Sequence, residues 1–199
     1  MNNTDLMFNN IYNIISIKFK KEFFYSTKSI FGMFRNCHNL IYINFGKSTF
    51  KIRDLSYTFQ NCKSLVFLEL SNIVTNETLN ISYMFLNCHS LQSIYLSNFD
   101  TININDMSGL FYNCSSLTSI NLTSFKTKNV FSMKLMFAGC SLLSKVNLNL
   151  FQFSNLKDMS YMFKNCFRLV SVELPNFEIP NKINKEGLYD GCQSLKKKI

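Results

Sequence analysis

Seven cysteines recur along this 199-residue chain at nearly constant intervals. They are separated by 25 residues once and by 26 residues five times. The positions are Cys37, Cys62, Cys88, Cys114, Cys140, Cys166 and Cys192. A fixed period of this length indicates a repeat architecture, in which each unit buries its apolar side only by stacking on its neighbours.

Apolar residues keep a fixed distance from each cysteine. Three residues before it stands an aromatic residue: Phe34, Phe59, Phe85, Phe111, Phe137, Phe163 and Tyr189. Leucine follows three residues after it, and further apolar residues follow at six and eight, which is the L-x-x-L-x-L strand segment of a leucine-rich repeat. Residues 7–11 fit the same frame with Ile11 in place of cysteine, so the sequence predicts eight units.

Polar residues bracket a short segment of every unit. Eight residues before the cysteine, or before Ile11, lie Asn3, Ser29, Asp54, Asn80, Asp106, Ser132, Asp158 and Asn184, all of them good N-cap residues. The residue directly before the cysteine is Asn or Gly, the two types that tolerate the left-handed conformation closing a helix. Between these positions, apolar residues such as Met107, Leu110 and Phe111 have helical spacing. We therefore predict one short helix per unit.

The predicted fold is an α/β leucine-rich-repeat solenoid with a parallel β-sheet on the concave side and short helices on the other. Residues 1–28 would form a divergent first repeat, residues 29–183 six coils of 25–26 residues, and residues 184–199 a truncated last repeat with a basic tail. A second apolar row lies eleven residues after the cysteines: Ile73, Phe99, Phe125, Phe151 and Phe177. At about 4.8 Å per coil, the stack would be roughly 35 Å long.

The repeat unit also carries a recognisable motif. Residues 106–117 read DMSGLFYNCSSL, residues 158–166 read DMSYMFKNC, and residues 96–101 read LSNFDT. The pattern resembles the BspA-type leucine-rich repeat surface proteins, a family of 26-residue repeats, over residues 7–195. The resemblance implies cell-surface proteins of bacteria or protists that adhere to host or matrix proteins.

Two features depart from that family. The chain as given has no export signal and no anchor, so a cell-surface or secreted location follows from the resemblance, and a cytoplasmic location is the alternative. The last unit stops at Leu195, before its strand is complete. We expect apolar surface at this end to promote end-to-end self-association, with Lys196, Lys197 and Lys198 blunting the edge.

The cysteine row allows three interpretations. Buried free thiols at a tight turn are favoured. Disulfides between coils conflict with the parallel side-chain directions of stacked positions and with the odd number of cysteines. A metal site conflicts with the absence of any C-x-x-C pair, and His38 and His89 lie two coils apart. Asp54, Asp106 and Asp158 are explained as caps, and no catalytic motif occurs, so we expect neither enzyme activity nor a cofactor.

The net charge of +9 does not by itself indicate a nucleic-acid partner. The 21 basic residues are scattered and form no long stripe, and the phenylalanine rows have an inward register. No apolar segment is long enough to span a membrane. We expect neither nucleic-acid binding nor a membrane span.

The outward positions of the predicted strands are the candidate binding surface. Side chains alternate along a strand, so the residues five and seven after each cysteine face the concave side. In the amino-terminal half these are Tyr42, Asn44, Phe67, Glu69 and, one coil further, Tyr95. Aromatic residues clustered on adjacent strands are typical of binding hot spots, and the alternative is a variable surface whose apolar members are incidental. The predicted function is protein–protein interaction, as a surface adhesin by resemblance, with an intracellular interaction scaffold or a stacking fragment of a larger repeat protein as alternatives.

Overall fold

The repeat period sets the pairing of the strands. The computed structural model describes residues 4–20, 23–24, 26–46, 50–70, 73–96, 99–176 and 179–196. Its strands are Ser16–Lys18 (β1), Tyr42–Asn44 (β2), Phe50–Lys51 (β3), Phe67–Glu69 (β4), Ile73–Val74 (β5), Ser93–Tyr95 (β6), Lys145–Asn147 (β7) and Ser171–Glu173 (β8). Parallel pairs form between β1 and β2, β3 and β5, β4 and β6, and β7 and β8.

The predicted continuous sheet is wrong in its centre. Residues 119–121, which occupy the strand position of their coil, are not in strand conformation, and the concave strands pair only two by two. Ser119 and Asn121 flank Ile120, and a depression of about 370 Å³ separates these residues from Ser93 and Tyr95 of the preceding coil.

The predicted helices are also wrong: the described residues contain tight turns where helices were expected. In the coil of Cys114, the amide of Leu110 donates to the carbonyl of Met107 (3.3 Å) and the amide of Cys114 to that of Phe111 (3.1 Å). The third residue of each of these two turns, Gly109 and Asn113, has a positive φ, 57° and 59°. A positive φ at this position is the mark of a type II turn and stops a right-handed helix from propagating.

Backbone hydrogen bonds join each turn segment to the next coil. The amides of Met107, Gly109, Phe111 and Asn113 donate to carbonyls of the following coil at 2.7–2.9 Å. The intervening amides close the turns within their own coil, so donors alternate between the coil and its neighbour. This alternation satisfies the buried backbone without a helix.

The predicted N-cap residues cap turns instead of helices. The Oδ1 atom of Asp106 accepts a hydrogen bond from the amide of Ser108 (2.8 Å), and Asp158 does the same for Ser160 (2.8 Å). The first of the eight, Asn3, lies outside the described residues. The other seven also form a row of parallel bridges from coil to coil, from Ser29 to Asn184. Their side chains therefore hold the conformation that keeps adjacent coils in register.

Stacked aromatic rings form the centre of the core. The rings three residues before each cysteine position, from Phe8 to Tyr189, stack with centroids 5.5–5.7 Å apart and planes within 10°. In the second row, Phe99, Phe125 and Phe151 are buried and stacked, whereas Phe177 lies outside the described residues. At the carboxyl end, Leu195 is half-buried against the core, and residues 197–199 of the predicted basic tail lie outside the described residues.

Candidate functional site

The candidate binding residues lie on three successive coils of the concave face. Tyr42 and Asn44 are at the two ends of β2, Phe67 and Glu69 at the ends of β4, and Tyr95 is the last residue of β6. The aliphatic residue at the centre of each strand points into the core, so the flanking side chains point outward. The rings of Tyr42, Phe67 and Tyr95 are exposed by 48%, 39% and 59%, which is unusual for side chains of this size.

Contacts within this group hold the rings in place. Phe67 and Tyr95 meet edge to face with centroids 5.3 Å apart, since β4 and β6 are hydrogen-bonded neighbours. The Nδ2 atom of Asn44 donates to the phenol oxygen of Tyr42 (3.1 Å), and its Oδ1 accepts from the amide of Gly46 (2.7 Å). Tyr42, Asn44, Phe67 and Glu69 line a shallow depression of about 180 Å³. We call these four residues and Tyr95 the aromatic face.

Aliphatic residues one position before the strands extend this apolar surface. Ile41 and Val66 are exposed, and so is Ile15 on the preceding coil, where the strand positions themselves carry Ser16 and Lys18. Sequence reasoning missed Ile15. The signal was available, because Ile15 holds the same repeat position in the first coil. The aromatic face therefore has an aliphatic margin along one side.

The carboxyl-terminal half of the concave face is polar. Ser119, Asn121, Lys145 and Asn147 occupy the positions that carry rings in the other half. The Nδ2 atom of Asn147 donates to Oε2 of Glu173 across β7 and β8 (2.7 Å). One scaffold thus presents two chemically different halves.

The cysteine row lies inside the stack. All seven cysteines are buried free thiols. Each Sγ donates a hydrogen bond to the backbone carbonyl of the core phenylalanine in the preceding coil, at 2.9–3.2 Å, as Cys114 does to Phe85. Burial raises the pKa of the Cys37 thiol to about 11 and raises the pKa of Cys88 and Cys140 further. Protonated thiols in this environment are weak nucleophiles and poor metal ligands.

The asparagines that precede the cysteines form a second row, whose positions were evident in the sequence but whose side-chain bonds were not. The Nδ2 atom of each asparagine donates to Oδ1 of the asparagine one coil earlier, at 2.5–2.9 Å. The members of this asparagine ladder are Asn10, Asn36, Asn61, Asn87 and Asn113. Their positive φ was expected from the residue type, but the amide-to-amide bonds become evident only when coils are stacked.

The described residues contain no cluster of three or more His, Cys, Asp or Glu side chains that could hold a metal ion. Asp54, Asp106 and Asp158 each accept a hydrogen bond from a nearby backbone amide, as caps do. In the same part of the chain, no helix has the length and apolar character needed to cross a membrane.

Two solved structures to which this chain is similar are leucine-rich repeat proteins. One is the T. pallidum leucine-rich repeat protein TpLRR, at 21% identity and a TM-score of 0.42, with 96% of this chain and 69% of that chain covered. The other comes from Bacteroides ovatus ATCC 8483, at 20% identity and a TM-score of 0.48, with 85% of this chain and 46% of that chain covered. No curated protein matches the sequence.

A family match covers most of the chain. Residues 28–121 and 80–199 match the family described as "Mycoplasma protein of unknown function, DUF285". The match confirms the resemblance to the BspA-type leucine-rich repeats. With stacked coils and parallel pairing on the same 26-residue period, the chain belongs to this DUF285 family of BspA-like repeat proteins.

Proposed function

We propose that this chain is a protein-recognition module of about eight coils that binds a partner protein through the aromatic face. Tyr42, Phe67 and Tyr95 supply the apolar contact area, and Asn44 and Glu69 supply polar contacts that orient the partner. The observation that carries the proposal is the contact between exposed rings on hydrogen-bonded strands, above a shallow depression.

The rings of the aromatic face favour binding because their contacts with neighbouring side chains preorganise them before a partner binds. Aromatic side chains bring a large contact area at a low cost in conformational entropy, and clusters of them dominate binding energies at interfaces. The aliphatic margin of Ile15, Ile41 and Val66 enlarges the area from which a partner would displace water. The polar half of the same face offers no comparable apolar area.

A triple substitution tests the aromatic face. Tyr42, Phe67 and Tyr95 lie outside the hydrophobic core, and their replacement by Ser removes the rings of the aromatic face. We expect binding to each protein retained by the parent chain to fall at least tenfold, as is common when several hot-spot rings are lost. The melting temperature should change by less than about 3 °C, because exposed substitutions cost little. Affinities are measured by surface plasmon resonance on the partners retained from surface-protein and cytosolic extracts.

The matched control changes the polar half of the same face. The substitutions Asn121→Ser, Lys145→Ser and Asn147→Ser occupy equivalent repeat positions and should leave both the affinity and the melting temperature nearly unchanged. If this control reduced binding as much as the aromatic triple variant, or if the aromatic variant bound as well as the parent, the aromatic face would not be the binding surface.

Adhesion is the form of recognition that we propose, because it is what the BspA-type resemblance implies. Protease treatment of intact cells separates it from the alternative of an intracellular scaffold. Loss of the protein before lysis, with a cytosolic control protein intact, is the result that we expect. Protection until lysis would contradict adhesion and would leave recognition inside the cell.

Self-association through the carboxyl-terminal coil is a second candidate, proposed from the stacking architecture of the repeats. It predicts a mass by light scattering that rises with protein concentration. A constant monomer mass over a hundredfold concentration range would contradict it.

A further inference from the structure

The asparagine ladder is interrupted at one position. After Asn113, the next coil has Gly139 at the same place, and the coil after that has Asn165. Gly139 keeps the left-handed backbone of the row, with φ of 73°, but has no side chain to donate to Asn113 or to accept from Asn165. One rung of the ladder is therefore missing between two asparagines.

The polar groups on the two sides of this gap differ. Oδ1 of Asn113 extends into the space where a β-carbon of residue 139 would stand. This oxygen is an acceptor, and in the four bonds of the ladder the equivalent oxygen receives an Nδ2 donor from the following coil. Oδ1 of Asn165 lies toward Gly191 in the following coil. In the unbroken ladder, Asn87 accepts at Oδ1 from the following coil and donates from Nδ2 to the preceding one, so we infer that Nδ2 of Asn165 faces the gap as a donor.

The gap opens into a depression on the outside of the turns. Its volume is about 290 Å³, and Asn113, Gly139, Tyr161, Lys164 and Asn165 are among the residues that line it. Lys164 lies with its Nζ 5.0 Å from the centroid of the Tyr161 ring, and Tyr161 donates a hydrogen bond to Glu186, which fixes this side of the rim. Asn165 and Lys164 are exposed, so a ligand can reach the gap from solvent.

We propose that the gap at Gly139 binds a primary carboxamide, the side chain of an asparagine or glutamine on a partner polypeptide. Such a group replaces the missing rung: its NH₂ donates to Oδ1 of Asn113 and its oxygen accepts from Nδ2 of Asn165. A carboxylate fits less well, because it has no donor for Oδ1 of Asn113. This site lies on the turn side of the coils and is independent of the aromatic face.

A blocked asparagine tests the proposal in the full chain. We would titrate ¹⁵N-labelled protein with N-acetyl-asparagine methylamide and follow the backbone amide of Gly139 and the side-chain amides of Asn113 and Asn165 by NMR. We expect saturable shifts of these signals, with a dissociation constant on the order of millimolar for two neutral hydrogen bonds. N-acetyl-aspartate methylamide should bind at least tenfold more weakly.

Two variants make the assignment specific. Gly139→Asn restores the rung from within the chain, with Oδ1 of Asn113 turned aside by the new side chain, and should abolish binding of the probe. It should still fold, because asparagine already adopts this backbone conformation at six other places in the row. The matched control Asn36→Leu changes an asparagine in the unbroken part of the ladder, away from the gap, and should retain binding. Asn165→Leu removes the donor and should abolish binding without filling the gap.

Several results would overturn the proposal. One is that none of the three signals shifts in the parent chain. Another is that the asparagine and aspartate probes bind equally well. A third is that Gly139→Asn and Asn165→Leu both retain binding. Each would mean that the gap at Gly139 is not a carboxamide site.

Discussion

At the scale of single residues, the cysteines answer a hydrogen-bonding need. The carbonyl of Phe85 accepts the amide of Cys88 in its own coil and the thiol of Cys114 in the next. A thiol is small enough for the turn and still has a donor for the second lone pair of that buried oxygen. Ile11 differs because its side chain is exposed by 38% in the first coil.

Replacement of one thiol tests this role. In Cys114→Ala, the lost volume and the lost donor act together, so we expect the free energy of unfolding to fall by about 1–3 kcal/mol. Chemical denaturation monitored by circular dichroism measures it. The control Ser115→Ala, one residue along on the surface side, should change stability by less than about 0.5 kcal/mol. Equal effects of the two substitutions would contradict a special role of the thiol.

The pKa of Cys37 gives a pH dependence with a definite sign. Its pKa is about 11 in the folded chain and 9.0 as the unperturbed value, so the folded state holds the proton more tightly. The contribution of the Cys37 thiol to the free energy of unfolding is then fully present below about pH 9 and is lost as the pH rises from 9 to 11. We expect a lower urea midpoint at pH 10 than at pH 8, with a smaller loss in Cys37→Ala. A midpoint that rises over this range would contradict the assigned shift.

At the scale of elements, the turn segment shows where sequence reasoning succeeds and where it fails. The period, the apolar rows and the left-handed Asn and Gly residues before each cysteine could be predicted, because each depends on residue type at one position. The second left-handed site, five residues before the cysteine, could not, since Tyr57, Tyr83, Leu135 and Tyr161 occupy it with φ of 55–58°. Such residues rarely adopt this conformation.

The same failure explains the helices that were predicted and are absent from the described residues. Apolar residues spaced by three and four match one helical face, but here two successive tight turns bring them to the same side. The bonds between coils that favour the turns are invisible in a single unit. The aromatic face, in contrast, needs only strand alternation, which is why its exposed positions could be selected from the sequence.

Substitution of Leu135 distinguishes a turn from a helix. In a helix, Ala is more stable than Gly by about 1 kcal/mol, whereas at a left-handed position Gly is favoured by about 1 kcal/mol. With φ of 58° at Leu135, we expect Leu135→Gly to be more stable than Leu135→Ala. Thermal unfolding of both variants measures the difference. The control is the neighbouring Lys134, which is not among the positive-φ residues, and there the Ala variant should be at least as stable as the Gly variant. If Leu135→Ala were more stable than Leu135→Gly, the segment would be helical and the turn assignment would be wrong.

At the scale of the whole molecule, two kinds of stacking differ in continuity. The turn segments and their aromatic rings join coil to coil along the chain, whereas the concave strands pair only in twos. The amides of Leu70 and Leu148 donate to the next coil at 3.4 and 2.8 Å, and the described residues show no such bond from Leu96 or Leu122. Cohesion along the stack therefore comes mainly from the turn side.

Hydrogen exchange measures this difference directly. We expect the amides of Leu96 and Leu122 to exchange at least tenfold faster than that of Leu148, because an unpaired amide opens at little cost. Turn amides such as Phe111 and Phe137, which donate to the next coil at 2.9 Å, should be among the slowest. Uniform protection across the concave strands would mean that the sheet is continuous in solution.

The glycines five residues before the cysteine position lie next to large side chains of the preceding coil. The ring of Tyr83 covers the place where a side chain of Gly109 would stand, Tyr161 does so over Gly187, and Leu6 lies 2.7 Å from the equivalent point on Gly32. Recombination between similar repeats would add or delete whole coils without disturbing the cysteine or phenylalanine rows. Deletion of the coil that contains Gly109, however, would bring Tyr83 against Leu135. Because Tyr57 and Tyr83 already adjoin in this row, with ring centroids 5.2 Å apart, a junction of two large residues is sterically possible, and whole coils could be lost or gained without breaking the stack.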